Sequence, residues 1–160
     1  MVGVPLKQRL AWYRLRAIQT YLDGRFPVAK NFLLTSSPRS GSTLLGAVLN
    51  AIPRSCPLFE PLHLRNVPEA SAAGFSWRTY RDPEVSWPEG EAFLHSVFAG
   101  STVNDWTSRE MAWRDIAFSR RQVVKFVRAN RLLPWIVSHF SIPEPLLLMR
   151  HPCAVVASQL

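Results

Sequence analysis

Lysine is nearly absent from this basic chain: among its 19 Lys and Arg residues only Lys7, Lys30 and Lys125 are lysines, so the formal net charge of +8 rests on arginine. That balance favours anionic ligands in general and specifies none. Cysteine is scarce too, and Cys56 and Cys153 are too few for a disulfide framework or a zinc site, so both are expected as free thiols. No stretch approaches the roughly 18 uninterrupted apolar residues of a membrane span, and the N-terminus has no secretory apolar core. A cytoplasmic location is the expectation, unless an anchor precedes Met1. The basic residues are scattered apart from Arg120-Arg121 and the Arg9, Arg14, Arg16 group, and no nucleic-acid motif accompanies them. They read as a solvated basic surface, with no nucleic-acid partner. Repeats and low-complexity tracts are missing, and 48% hydrophobic with 19% charged residues suits one globular domain with a real core.

What is present alternates strand with helix. Leu6 to Leu22 carries Leu6, Leu10, Tyr13 and Ala17 at helical spacing, broadened by Trp12, Leu15, Ile18 and Leu22, which predicts a helix packed on the domain and closed by Asp23-Gly24. Its basic face could instead touch membrane phosphate, a reading that weighs less. Strands are predicted at Asn31 to Thr35, Pro57 to Glu60, Gln122 to Phe126 and Leu146 to Met149. Helices are predicted from the turn after the first strand to Asn50, at Glu91 to Ala99 before Gly100, at Trp106 to Phe118 capped by Asn104 or Asp105, and at Arg131 to Phe140. Between Pro61 and about Gly90 the periodicity fails, and an irregular excursion over the active face is expected. Trp77, Trp87, Trp106 and Trp113 gather in this middle region; they bury area in a small subdomain or, less commonly, stack on sugar rings. Strand-helix alternation of this kind predicts parallel pairing.

The densest signal is Leu33 to Leu45, where an apolar strand enters the turn Ser36-Ser37-Pro38-Arg39-Ser40-Gly41-Ser42-Thr43 and then opens a helix. Backbone amides of such a turn, with the positive end of the helix behind them, make an anion cradle. Against the pattern G-x-x-x-x-G-K-[ST], Gly41 and Thr43 fit, while Ser36 replaces the first glycine and Ser42 the lysine. Losing that lysine disfavours an ordinary nucleoside triphosphatase. Arg39 and the hydroxyls of Ser40, Ser42 and Thr43 still offer directional hydrogen bonds to an anion. The plain alternative is a strand-turn-helix corner rich in small residues.

Thr35 to Leu45 resembles the 5'-phosphosulfate loop of sulfotransferases that use 3'-phosphoadenosine-5'-phosphosulfate (PAPS), in the Arg-Ser-Gly-Ser form of carbohydrate-type and many bacterial members. More than a hundred residues later, Leu146 to Ser158 is similar to that family's 3'-phosphate motif: a strand, Arg150-His151-Pro152, and Ser158 eight positions after the arginine. Two anion sites at the carboxyl ends of apolar strands are what a parallel α/β sheet needs to hold a doubly phosphorylated nucleotide. The resemblance implies an α/β fold: a P-loop-like parallel sheet flanked by helices in three layers, incomplete at its C-terminus. Residues 1–160 would form a single truncated domain, with an N-terminal helix and lead-in over 1–30 and an irregular, partly helical acceptor-side insertion over 61–120. Such a chain alone would lack activity and hold its nucleotide weakly.

The implied reaction moves a sulfuryl group from PAPS to a hydroxyl or amine of a carbohydrate or small metabolite and releases 3',5'-ADP (PAP), with no metal. By the resemblance, Ser37, Pro38, Arg39, Ser40, Gly41, Ser42, Thr43, Arg150 and Ser158 would bind the cofactor. Glu60, in Phe59-Glu60-Pro61, is similar to the Tyr-Glu-Pro glutamate proposed to deprotonate the acceptor, and Arg39 and Lys125 would complete the catalytic group by donating to the reacting oxygens. The plain alternative for Glu60 is a turn cap or an arginine partner. His63 is a rival base, while the Lys-Thr-His segment of the steroid and phenol enzymes is replaced here by Lys125-Phe126-Val127-Arg128. The alternative functions are an inactive nucleotide-binding fragment and a P-loop kinase with a modified phosphate loop.

Overall fold

The computed structural model describes residues 5–127 and 129–158. Arg128, weighed above as a charge at a helix start, lies outside them. In chain order the elements are α1 (Leu6–Leu22), β1 (Phe32–Ser36), α2 (Ser42–Asn50), β2 (Ser55–Phe59), α3 (Pro68–Ala72), α4 (Pro88–Ala99), α5 (Trp113–Phe118), β3 (Arg121–Val127), α6 (Leu133–His139), β4 (Leu146–Leu148) and α7 (Pro152–Ala157). The four strands form one parallel sheet in the order β2-β3-β1-β4. Helices flank it, an α/β arrangement compatible with three layers.

Alternation across the sheet decides which helices cover which face. Leu33 on β1, Cys56 and Leu58 on β2 and Val124 and Phe126 on β3 all enter one buried cluster with Ile18 and Leu22 of α1, Leu94 and Phe98 of α4, and Trp135 and Ile136 of α6. Leu34, Phe59 and Lys125 are register neighbours on the other face, where α2 lies close enough that a Cβ at Gly46 would touch Leu34 and Lys125 side chains. Asn31 ties the two sides of the sheet's entrance together. Its buried amide donates to Phe98 O at 2.7 Å and accepts from Gln122 N at 2.9 Å, fixing β1 to α4 and β3.

Several expectations need correction. The stretch from Trp106 to Phe118 is not one helix, because Asn104 Oδ1 accepts from both Trp106 N and Thr107 N and Thr107 O accepts from Phe59 N of β2. That capture holds residues 105–110 as turns along the sheet edge, and Asp115 restarts a helix only at Trp113 by accepting from Ala112 N. Within the irregular stretch after Pro61, a short helix forms at Pro68–Ala72, started by a proline whose missing N–H costs nothing there. Gly100 ends α4 in the left-handed conformation, as expected, and any Cβ there would collide with Leu22 O at 2.6 Å. The stripe Leu6, Leu10, Tyr13, Ala17 on α1 faces outward; the helix packs instead through Leu15, Ile18 and Leu22. β4 is an edge strand whose Leu146 and Leu147 stay exposed.

Candidate functional site

All four strands end on one side, and the segments that follow them enclose a cleft of about 470 Å³. The β1–α2 turn contributes Pro38, Arg39, Gly41, Ser42 and Thr43; the turn after β2 contributes Glu60 and His63; β3 ends there at Val127; the segment after β4 brings Arg150, and the end of α7 brings Ser158. A cleft at the carboxyl ends of parallel strands is the usual ligand position in such sheets, since strand order there diverges and leaves room between connections.

Backbone conformation shapes the turn. Gly41 at φ +90° is the residue before α2, and Arg39 sits at φ +63° two positions earlier. Left-handed residues in a tight turn aim successive amides into a concavity, and the nine-residue helix behind adds its unsatisfied N–H groups. Glu60 also has positive φ, at +40°. A non-glycine residue in that region is strained by about 1–3 kcal/mol, and such strain concentrates at functional sites. The surroundings hold it: Glu60 N donates to Lys125 O at 3.0 Å, prolonging the β2–β3 ladder, and Glu60 O accepts from His63 N at 3.0 Å.

The two motifs, so distant in sequence, meet across this turn. Arg39 Nη2 donates to Ser158 O at 2.8 Å, and Arg150 Nη1 donates to Arg39 O at 3.2 Å. Arg39 and Arg150 are both exposed and both line the cleft, giving it a positive mouth. Ser158 closes α7 with its own hydroxyl, which donates to Val155 O at 2.7 Å. Its carbonyl is the group that meets Arg39 of the loop.

Three of the expected residues stand behind the cleft wall. Ser37 Oγ accepts from Asn130 Nδ2 at 3.0 Å, and Asn130 Oδ1 in turn accepts from Thr35 Oγ1 at 2.8 Å. Asn130 thus braces the phosphate-loop candidate from the segment after β3, a role no motif announced. Ser40 is buried, and its hydroxyl has no partner. Lys125 is 3% exposed; its Nζ donates to Thr43 Oγ1 at 3.1 Å, lies 3.9 Å from Glu60 Oε1 and 4.1 Å from the Phe59 ring centroid. Burial holds the Lys125 ammonium below its ordinary pKa, opposed by Glu110 and Glu60 and reinforced by Arg109.

His63 lines the cleft with Asn66 Nδ2 3.1 Å from its Nδ1 and its ring against Trp106 and Trp77. The Asn66 amide and the two indole rings hold the imidazole in place at the cleft wall. Of the four middle tryptophans, Trp77 lines the cleft, Trp106 backs His63, Trp87 packs in the core with Phe75 and Trp135, and Trp113 stands exposed on α5. Among the described residues no three His, Cys, Asp or Glu side chains gather as a metal-holding group, and no helix is long and apolar enough to cross a membrane. No protein-family model matches the chain, and neither a curated protein nor a solved structure matches it.

Proposed function

We propose that the chain holds a PAPS-type donor in this cleft and supports transfer of its sulfuryl group to a hydroxyl or amine acceptor. The observation that carries the reading is the junction of Arg39, Arg150 and Ser158: two anion-binding candidates 111 positions apart in sequence share one mouth. The β1–α2 turn, with amides and Arg39, is suited to the 5'-phosphosulfate end, and Arg150 to the 3'-phosphate.

The donor brings a good leaving group; the residues bring alignment and charge. Because Thr43 Oγ1 accepts from Lys125, its own proton is free to be donated toward the cleft. Lys125 therefore acts through Thr43 as a positioning residue rather than touching the sulfuryl oxygens itself. Donors preset around developing negative charge are the main catalytic contribution in this class of displacement. Glu60 is the carboxylate at the cleft, with its Oε1 3.9 Å from Lys125 Nζ, and is placed to accept the acceptor's proton.

Calorimetry with 3',5'-ADP against ATP and magnesium tests the reading. Tighter binding of 3',5'-ADP is expected, and a preference for ATP overturns it in favour of a modified kinase. Glu60→Gln should cut turnover with PAPS about a hundredfold while leaving 3',5'-ADP affinity within about twofold; unchanged turnover removes Glu60 as base. Binding of 3',5'-ADP without transfer to any acceptor would leave a nucleotide-binding module.

A further inference from the structure

The outward face of α1 is a surface feature that neither the core nor the cleft uses. Leu6, Leu10 and Tyr13 are 70%, 59% and 53% exposed, and Ala17 continues their line. At 3.6 residues per turn, Lys7 and Arg14 border this line on one side and Arg9 and Arg16 on the other. No acidic residue occurs between Leu6 and Leu22. Core packing does not use this face, because Leu15, Ile18 and Leu22 serve the core from the opposite side.

Helix α5 extends the same surface. Arg14 lies 5.5 Å from the Trp113 ring centroid, and Tyr21 Oη donates to Ala117 O at 2.8 Å. Trp113 and Phe118 are 61% and 73% exposed. Arg25 adds a further cation 4.4 Å from the Tyr21 ring. The acidic residues at the margin are Asp23, Asp105 and Asp115, and Asp115 is engaged with Ala112 N and Arg114.

We infer that α1, with Trp113 and Phe118 of α5, docks lengthwise on an anionic lipid surface. Large apolar and aromatic side chains between rows of cations match the boundary between acyl chains and acidic headgroups, where both kinds of group are satisfied together. Nucleic acid would use the cations and leave Leu6, Leu10 and Phe118 in water. The helix lies on the membrane and does not enter it as a span.

Co-sedimentation of the full chain with phosphatidylcholine vesicles, with and without phosphatidylglycerol, tests this. Binding at least about tenfold tighter to the phosphatidylglycerol vesicles is expected, declining with added salt. Leu10→Asp with Tyr13→Asp should weaken it about tenfold or more, with unchanged circular dichroism and melting temperature since both side chains are exposed. Arg9→Glu with Arg16→Glu should abolish the preference for anionic lipid. Val156→Asp, on the exposed apolar surface of α7, should change nothing, and a loss there would overturn the placement on α1. Equal binding to both vesicles or none at all, DNA binding in place of vesicle binding, or a dimer that Leu10→Asp dissolves without vesicle binding would each overturn the inference.

Discussion

Replacing Lys125 with methionine separates what the site costs the fold from what it contributes to the chemistry. Three favourable contacts and one penalty meet at this ammonium. Its attraction to Glu60 across 3.9 Å amounts to about 1 kcal/mol with water-like screening and about 4 kcal/mol at an effective dielectric of 20. The charged hydrogen bond to Thr43 adds about 1.5–3 kcal/mol, and the Phe59 ring adds less. Against these stands the removal of an ammonium from water, several kcal/mol for a side chain 3% exposed. The downward shift of its pKa, led by burial over the pull of Glu110 and Glu60, says that the penalty is not fully offset. Methionine keeps the stem beside Gly46 and Leu34, while exposed Thr43 and half-exposed Glu60 turn to water. Lys125→Met should therefore leave the fold unchanged or more stable by about 1 kcal/mol at pH 7, yet lower transfer about a hundredfold through loss of Thr43 alignment. The pH dependence has a definite sign. Since the folded pKa lies below the ordinary 10.5, the penalty is complete below the folded pKa and gone once the unfolded lysine also loses its proton above 10.5. Stability of the wild type relative to Lys125→Met must accordingly rise as pH climbs through that window. Urea denaturation of both proteins from pH 7 to 10.5 measures it, and subtraction cancels the opposite drift from Cys56. A loss of more than about 3 kcal/mol at pH 7 would show the buried pair to be a net support and refute the reasoning.

Two further outcomes follow from buried groups. Ser40→Ala removes a hydroxyl that is buried without a partner, so the chain should gain about 1 kcal/mol in urea denaturation; a loss of stability would mean the hydroxyl is already satisfied. Burial pushes the Cys56 thiol up to about 12, whereas Cys153 is exposed, so a thiol reagent at pH 8 should modify Cys153 alone in the native chain and both cysteines in urea. Because that folded pKa lies above the ordinary 9.0, the unfolded thiol ionises first, and stability contributed by Cys56 declines as pH rises from 9 to about 12.

Much of the fold is legible in the sequence, because local and tertiary demands agree in its elements. Apolar runs at Leu33-Leu34, Val123-Val124 and Leu146-Leu148 became parallel strands, and Gly41 and Gly100 took the left-handed positions that only glycine fills without strain. The failures lie where a long-range partner overrode a local pattern. Trp106 to Phe118 has helical spacing, but the capture of Thr107 O by Phe59 N breaks it, and no periodicity records a hydrogen bond from a strand almost fifty residues earlier. On α1 the spacing was correct and the direction wrong, since both arcs of the helix carry apolar residues and only packing against Leu94 and Phe98 selects Ile18 and Leu22 as the inner ones.

The cleft divides in the same way. By itself the sequence determined the loop, its arginine, the lack of a lysine at its end and the second arginine motif, all of them properties of neighbouring residues along one strand-turn-helix unit. Only the tertiary structure decided that Arg39 and Arg150 face one mouth, that Ser158 offers its carbonyl to Arg39, and that the buried Lys125 donates to Thr43. The reason is the sheet register: pairing Leu34 with Lys125 and Ser36 with Leu148 sets which side chains from distant strands reach the same edge, and that pairing energy is carried by contacts remote in the chain.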